Sequence, residues 1–229
     1  MKKILGFLFI LFCASGLQAK PENSLHKMWR VQPVAQQQLV NNLRFSPTID
    51  FNKEDAYGNT LVFAAALKGD VRGLAWLQQV APNGEYLLHT GKDGNNVLHV
   101  ARDMKTFKAL LRSLRHFYPQ DFEARFQQLL EQKNDLRETP LRAQLNYGKA
   151  DIFVKYFPKT RLFARMQRIQ AKLSRGGLLA EVAQDEKQDI LEKTKDLSGL
   201  TLPQAVRRVS RQPGMKEVSR LFDENFSLL

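Results

Sequence analysis

The stretch that decides the fold runs from Ile49 to Leu77 and reads IDFNKEDAYGNTLVFAAALKGDVRGLAWL. Gly58 marks a tight turn, because glycine adopts positive φ without steric cost. Thr60 stands where an alanine-rich helix needs its N-cap, and Gly69 and Asp70 end that helix and cap the next one. The stretch therefore predicts a turn and two short helices, each with one apolar face that a neighbouring unit must cover.

This unit resembles the ankyrin repeat, a family built from turn-plus-two-helix units of about 33 residues. Leu61 stands at the position where the family pattern has proline, and Phe63 at the position where it has histidine. The positions that match the pattern are Asp50, Asn52, Asp55, Gly58, Thr60, Ala65, Ala66 and Gly69. Because one unit cannot bury its own apolar faces, the resemblance requires further copies.

Two later stretches supply such copies. Asn96 lies 36 residues after the first N-cap and places His99 at the family's histidine position. The signature Thr139-Pro140-Leu141 follows 43 residues later, with Arg137 in place of the turn glycine. The segment from Pro119 to Gln132 can supply the excess of about ten residues over the usual period as a longer or an additional helix. The first helices of the three units are expected at 60–68, 96–104 and 139–147.

Helical periodicity extends on both sides of the repeats. An apolar pattern from Pro33 to Phe45 predicts a helix that caps the array at its N-terminal end. Past Pro158 the repeat pattern stops, and further helices are expected over 161–175, 178–197, 202–209 and 215–226. The predicted fold is all-α: an ankyrin-like solenoid of about three repeats at 49–158, a lead-in and N-cap helix at 20–48, and a C-terminal helical extension at 159–229.

Residues 1–19 have the pattern of a secretory signal peptide. Lys2 and Lys3 precede an apolar run from Ile4 to Phe12, and small residues lead to Ala19. The run is shorter than the ~20 residues that cross a bilayer, so cleavage near Ala19 is favoured over a retained anchor. The sequence therefore predicts an exported protein, secreted or periplasmic. Its only cysteine, Cys13, falls within the segment that would be removed.

The amino-acid composition limits the possible functions but does not identify one. The chain has 229 residues, 43% of them hydrophobic, which is enough for a sizeable core. A formal net charge of +12 favours acidic partners. The export signal argues against nucleic acid as a partner.

No motif predicts catalysis, a metal or a cofactor. The sequence contains no G-x-S-x-G, no H-E-x-x-H, no P-loop and no dinucleotide fingerprint. Its four histidines are scattered, and His99 has the ankyrin position that bonds the neighbouring turn, which predicts a structural role. An enzyme remains an alternative through Glu181, Asp185 and Asp189, whose spacing along one helix face could hold a divalent cation.

The ankyrin resemblance implies that a protein partner meets the turn tips and first helices. The exposed positions of the family pattern correspond to Tyr57, Asn59, Lys68, Asp93, Asn95, Asp103, Asp135, Glu138 and Tyr147. Their mixture of tyrosine, amide and charge is typical of adaptable polar recognition surfaces. Solvent-facing turn residues without a binding role are the alternative interpretation.

A second candidate surface is basic. The segment from Lys155 to Arg175 carries seven positive residues and no acidic one. The cations proposed to meet an anionic surface are Arg161, Arg165, Arg168, Lys172 and Arg175. The alternative is a solvated face that pairs with the acidic outer face of the following helix, residues 181–192.

Together these observations predict a non-catalytic protein-protein interaction module of an exported bacterial protein. A secreted effector that engages host proteins is one form of this function. The alternatives are a periplasmic helper or immunity protein that binds a bacterial partner, and a peripheral binder of anionic membrane through residues 155–175. The sequence leaves open the identity of the partner and the oligomeric state.

Overall fold

The computed structural model describes residues 50–55, 58–91, 93–212 and 214–227. Within these ranges the chain forms ten α-helices and two 3-10 helices, with no strand, so the expected all-α class is confirmed. The helices are α1 (Leu61–Lys68), α2 (Val71–Val80), α3 (Met104–Phe117), α4 (Phe122–Glu131), α5 (Pro140–Asn146), α6 (Ala150–Tyr156), α7 (Arg161–Arg175), α8 (Gly177–Lys193), α9 (Leu202–Val209) and α10 (Lys216–Phe226), with 3-10 helices at Glu85–Leu87 and Phe157–Lys159. The predicted signal peptide and N-cap helix lie outside the described residues.

The chain makes the same turn four times, at 55–59, 91–95, 134–138 and 196–200. In each turn the amide of the first residue donates to the carbonyl of the fifth, at 2.8 to 3.2 Å. The amide of the fourth residue donates back to the carbonyl of the first, at 2.9 to 3.0 Å. The chain therefore contains four units that begin with one local geometry, which we call the first to fourth turn units.

The fourth residue of each turn has the left-handed backbone conformation. Gly58, Gly94 and Gly199 adopt φ values of 76°, 71° and 77°, and Arg137 adopts 59°. Arg137 is the only non-glycine residue with positive φ in the described part of the chain. The replacement of glycine by arginine in the third turn therefore leaves the shape of that turn unchanged.

The fourth turn lies within residues 159–229, for which the sequence predicts a C-terminal helical extension. The sequence from Asp196 to Leu202, DLSGLTL, has the spacing of the first unit, in which Asp55 precedes Gly58 and Thr60. α9 and α10 follow this turn as a helix pair, and α9 packs on α5 while α10 packs on α6. Residues 196–226 thus combine the same turn geometry with a following helix pair.

The first helix of the second unit, expected at 96–104, is not formed. Residues 97–99 make a turn, and the next helix begins at Met104. In the first unit ten positions separate the N-cap Thr60 from the next N-cap, Asp70, whereas only seven separate Asn96 from Asp103. With 3.6 residues per turn, the shortened segment cannot hold two helical turns and the reversal that follows them.

Two insertions lengthen the spacing between the turns. α4 lies between the second and third units, where the sequence predicts a longer or an additional helix. α7 and α8 form a helical hairpin between the third and fourth units. α8 ends at Lys193 rather than at Leu197, because residues 196–200 form the fourth turn.

One hydrophobic core extends from α1 to α10. In its C-terminal part the rings of Phe153 and Phe157 stack on Phe222, with centroids 6.2 and 5.5 Å away. Phe163 of α7 meets Phe226 edge to face at 5.1 Å. These aromatic contacts fix α10 against both α6 and α7. Among the described helices none combines the length and the apolar character that crossing a membrane requires.

Candidate functional site

Backbone hydrogen bonds join successive turns into a ladder. The amide of Asp135 donates to the carbonyl of Asp93 at 3.0 Å, and the amide of Leu197 donates to the carbonyl of Leu136 at 3.2 Å. In both cases the second residue of one turn bonds to the third residue of the preceding turn. The second, third and fourth turn tips are therefore held side by side at a fixed separation.

In the second and third units a buried side chain repeats this linkage at greater depth. Nε2 of His99 lies 2.9 Å from the carbonyl oxygen of Glu138, the fifth residue of the next turn. Nη2 of Arg142, which has the same position in the third unit, lies 3.3 Å from the carbonyl oxygen of Leu200 and 2.7 Å from Oδ2 of Asp196. The third and fourth units are thus joined by a buried ion pair where the second and third are joined by an imidazole.

The environment of His99 fixes its protonation. Because a carbonyl oxygen only accepts, Nε2 carries the hydrogen, and Nδ1 accepts the amide hydrogen of Asn96 at 3.1 Å. Burial lowers the pKa of His99 from 6.5 to about 4, although the hydrogen bonds to Glu138 and Asn96 act in the opposite direction. The histidine is therefore neutral at pH 7, and its contacts are those of the structural role that the sequence predicts.

Gln144 stabilises the unwound part of the second unit. Its side-chain amide lies 2.9, 2.9 and 3.1 Å from the carbonyl oxygens of Leu98, His99 and Ala101. Nζ of Lys149 adds a second donor to Ala101 at 2.9 Å. These donors of the third unit satisfy carbonyls that lack a helical partner. Sequence reasoning did not identify Gln144, because its partners lie more than forty residues away.

The structure places the nine predicted partner-binding residues in different environments. Lys68, Asp93, Asp103, Asp135 and Tyr147 are exposed, whereas Asn59 and Asn95 are half-buried. Tyr57 lies outside the described residues. The expected exposure of Glu138 is wrong, because this side chain is 9% exposed and accepts a hydrogen bond from Asn146 at 2.5 Å. Burial raises the pKa of Glu138.

Two of these residues also have structural tasks. The carboxylate of Asp103 accepts the Thr106 amide at 2.8 Å and so caps α3, and this hydrogen bond lowers the pKa of Asp103. Oδ1 of Asn95 accepts the side-chain amide of Asn134 at 3.0 Å. The candidate surface is therefore carried mainly by Asp93 and Asp135 at the turn tips and by Lys68 and Tyr147 at the C-terminal ends of the first helices.

The basic residues of α7 are only partly available to a partner. Arg165 pairs with Asp189 at 2.8 Å and Lys172 with Glu186 at 2.6 Å, both across the α7–α8 hairpin. Arg161 lies 3.5 Å from Glu131. Arg168 and Arg175 have no carboxylate partner in the described part of the chain. Asp189 also pairs with Lys193, at 2.8 Å.

A cationic groove of about 610 Å³ was not identified from the sequence. Lys105, Lys108, Arg112 and Arg115 line it along one face of α3, and their spacing along the helix could have predicted that shared face. Its apolar lining is Val71, Leu111, Phe122, Phe126 and Tyr156. The guanidinium of Arg115 lies 4.3 Å from the ring centre of Phe122.

The described residues contain no group of three or more histidine, cysteine or acidic side chains able to hold a metal ion.

Comparison with known proteins adds no relative: no protein-family model matches the chain, and no curated protein matches it.

Proposed function

We propose that the chain is a non-catalytic protein-binding module of ankyrin-like repeats, belonging to an exported bacterial protein. The observation that carries this proposal is the ladder of turns, in which Asp135 bonds to Asp93 and Leu197 bonds to Leu136. An ankyrin-like array presents its turn tips to a partner, and the ladder supplies such a row.

Rigid presentation favours binding. A surface that is already ordered loses little conformational entropy when a partner docks, so more of the contact energy appears as affinity. Below the turn tips, the buried contacts of His99 and Arg142 hold the units in register. At the end of α5, Tyr147 is 64% exposed, and exposed tyrosines often dominate the binding energy of protein interfaces.

Site-specific photocrosslinking tests this surface. A photoreactive phenylalanine analogue at Asp135 or Tyr147 is expected to capture a protein partner, and the same analogue at the exposed Gln79 on α2 is expected to capture none. Each variant is incubated separately with periplasmic extract and with host-cell lysate. Equal capture from all three positions would contradict the proposed surface.

Capture also distinguishes the two forms of the function. An effector gives a crosslinked host protein, and a periplasmic helper or immunity protein gives a bacterial one. Export itself is tested by sequencing the N-terminus of the protein recovered from culture medium and periplasm. We expect the mature chain to begin at Lys20, and a chain that retains residues 1–19 would contradict the proposed cleavage.

Contact with an anionic membrane is a second candidate, favoured by the tip of the α7–α8 hairpin. Leu178 and Leu179 are 76% and 50% exposed there, close in sequence to the unpaired Arg175. We expect the chain to float with anionic vesicles and the variant R168Q/R175Q to float less, while R207Q/R208Q, which loses the same charge elsewhere, stays unchanged. Failure of the unaltered chain to float would exclude this candidate.

A further inference from the structure

A small cavity lies where the third turn unit meets the α7–α8 hairpin. Its volume is about 140 Å³. Five basic side chains contributed by both parts of the chain line it: Lys133, Arg137, Arg142, Arg165 and Lys193. No acidic side chain and no aromatic ring belongs to the lining.

The carboxylates near the cavity do not balance these cations. Asp189 is shared between Arg165 and Lys193, and Asp196 pairs with Arg142. Lys133 and Arg137 have no carboxylate partner among the described residues. Nζ of Lys133 instead donates to the carbonyl oxygen of Lys193 at 2.7 Å. Positive charge therefore remains in excess beside the cavity.

Arg142 brings unused donors to the same place. Its side chain is 5% exposed, and its Nη2 bonds to Asp196 and Leu200. Its Nε and Nη1 are buried without an acceptor. A buried donor without a partner is costly, and a guanidinium is the group best suited to bind an oxyanion through several hydrogen bonds.

Arg137 is the third indication. The equivalent residue of the other three turns is glycine, which adopts the left-handed conformation without strain. Arginine adopts this left-handed conformation at a steric cost, because its β-carbon crowds the backbone. It also adds a cationic side chain. That side chain lines both the small cavity and an adjoining recess of about 910 Å³. Its placement therefore supplies a charge that glycine cannot.

We propose that this cavity, which we call the seam site, binds a phosphate group through Lys133, Arg137 and Arg142. Its volume exceeds the roughly 30 Å³ of one water and is below the roughly 300 Å³ of pockets for larger ligands, which suits one tetrahedral oxyanion. The adjoining recess shares Lys133 and Arg137 but is also lined by Glu131, Glu192 and Asp196, so it offers room for the uncharged remainder of a phosphate monoester rather than for a second anion. A nucleic-acid strand fits less well, since neither lining offers an aromatic ring for base stacking.

The seam site is separate from the turn tips. Phosphate can bind there whether or not a protein partner binds the turn tips. The proposed phosphate site and the proposed protein-binding surface can therefore fail independently. A bound phosphate group would contact both the third turn unit and the hairpin, and it would thus stabilise the position of the hairpin.

Calorimetric titration at constant ionic strength tests the seam site, with inorganic phosphate and glycerol 3-phosphate as separate probes. The test variant is K133Q/R137Q, whose two positions are exposed, and the control is R207Q/R208Q on α9, which loses the same charge at two other exposed positions. We expect saturable binding of at least one probe, reduced about tenfold for each cation removed from the seam site and unchanged in the control.

The two probes distinguish the source of the phosphate group. Tighter binding of the monoester indicates that the adjoining recess holds the rest of the ligand, and equal or tighter binding of inorganic phosphate indicates the free anion. Absence of saturable binding of both probes would overturn the proposal. So would binding that K133Q/R137Q and R207Q/R208Q reduce equally, because net charge alone would then explain it.

Discussion

The turn ladder and the α7–α8 hairpin satisfy their polar groups in opposite ways. In the ladder, His99 and Arg142 are 1% and 5% exposed and bond to the next turn. In the hairpin, the Arg165–Asp189 pair lies at the surface, with both side chains 41% exposed. When one member of a buried pair is removed, the remaining polar group has neither its partner nor water to bond to. At the surface, water replaces the lost partner. The location of a polar contact, more than its length, therefore decides what it contributes to stability.

The largest expected effect is at the joint between the third and fourth units. Arg142→Ala leaves the carboxylate of Asp196, 9% exposed, without its cationic partner. We expect the free energy of unfolding to fall by about 3 to 5 kcal/mol, measured by urea denaturation. The double variant R142M/D196N, which removes both charges, is expected to lose less. A loss below about 1 kcal/mol for Arg142→Ala would show that the pair is not buried in solution.

The next effect is a pH dependence from His99. The pKa is about 4 in the folded chain and 6.5 in the unfolded chain, so below pH 6.5 the unfolded state binds a proton that the folded state does not. Stability is thus unaffected by this group above pH 6.5 and decreases as the pH falls to 4, by about 3 kcal/mol. Urea denaturation at several pH values measures the loss.

The control for this prediction is His99→Gln, which retains a donor and an acceptor but does not titrate. Burial raises the pKa of Glu138, so that group acts in the opposite sense and must be subtracted. The unaltered chain should lose more stability between pH 6.5 and 4 than the variant does. Identical pH profiles would contradict the burial of His99.

Two glycines at the same turn position allow a matched test of turn contact. A β-carbon on Gly94 would lie 2.9 Å from the amide nitrogen of Asp135, whereas one on Gly199 would have no atom within 4 Å. Both alanine variants incur the left-handed strain of about 1 to 2 kcal/mol. Gly94→Ala should lose about 1 to 3 kcal/mol more, because the adjoining turn must shift. Equal losses of stability for the two variants in thermal denaturation would indicate that the second turn, which contains Gly94, does not contact the third turn, which contains Asp135.

The smallest effect is expected in the hairpin. Arg165→Gln removes a surface ion pair and should lower the free energy of unfolding less than any of the variants above, because water replaces the lost partner. The loss should shrink further in high salt, since exposed pairs are screened. Urea denaturation at low and high salt measures both. A large loss of stability that does not depend on salt would mean that the Arg165–Asp189 pair is buried like the polar contacts of the ladder.

Local signals in the sequence were enough to predict much of the ladder. The first and third turns, the helix pairs that follow them and the additional helix α4 follow from N-cap, glycine and helical spacing. The fourth turn had the same signal, Asp196 to Gly199 followed by Thr201, but the long hairpin insertion separated it from the others. The missing first helix of the second unit was also predictable, because only seven positions separate Asn96 from the next N-cap, Asp103.

The candidate sites were less predictable, because they depend on residues far apart in sequence. Burial of Glu138 and the contacts of Gln144 depend on how neighbouring units pack. The seam site combines the third turn with α7 and α8, and no local pattern links those segments. Exposure at the turn tips could be expected from the ankyrin resemblance, since it is a property of the turn itself.

Amide hydrogen exchange, measured residue by residue by NMR, tests the turn ladder most directly. The amides of Asp135 and Leu197 belong to exposed residues but donate to the preceding turn, whereas the amide of Leu136 makes no hydrogen bond within the described ranges. We therefore expect slow exchange at Asp135 and Leu197 and fast exchange at Leu136. Exchange at Asp135 and Leu197 as fast as at Leu136 would contradict the ladder.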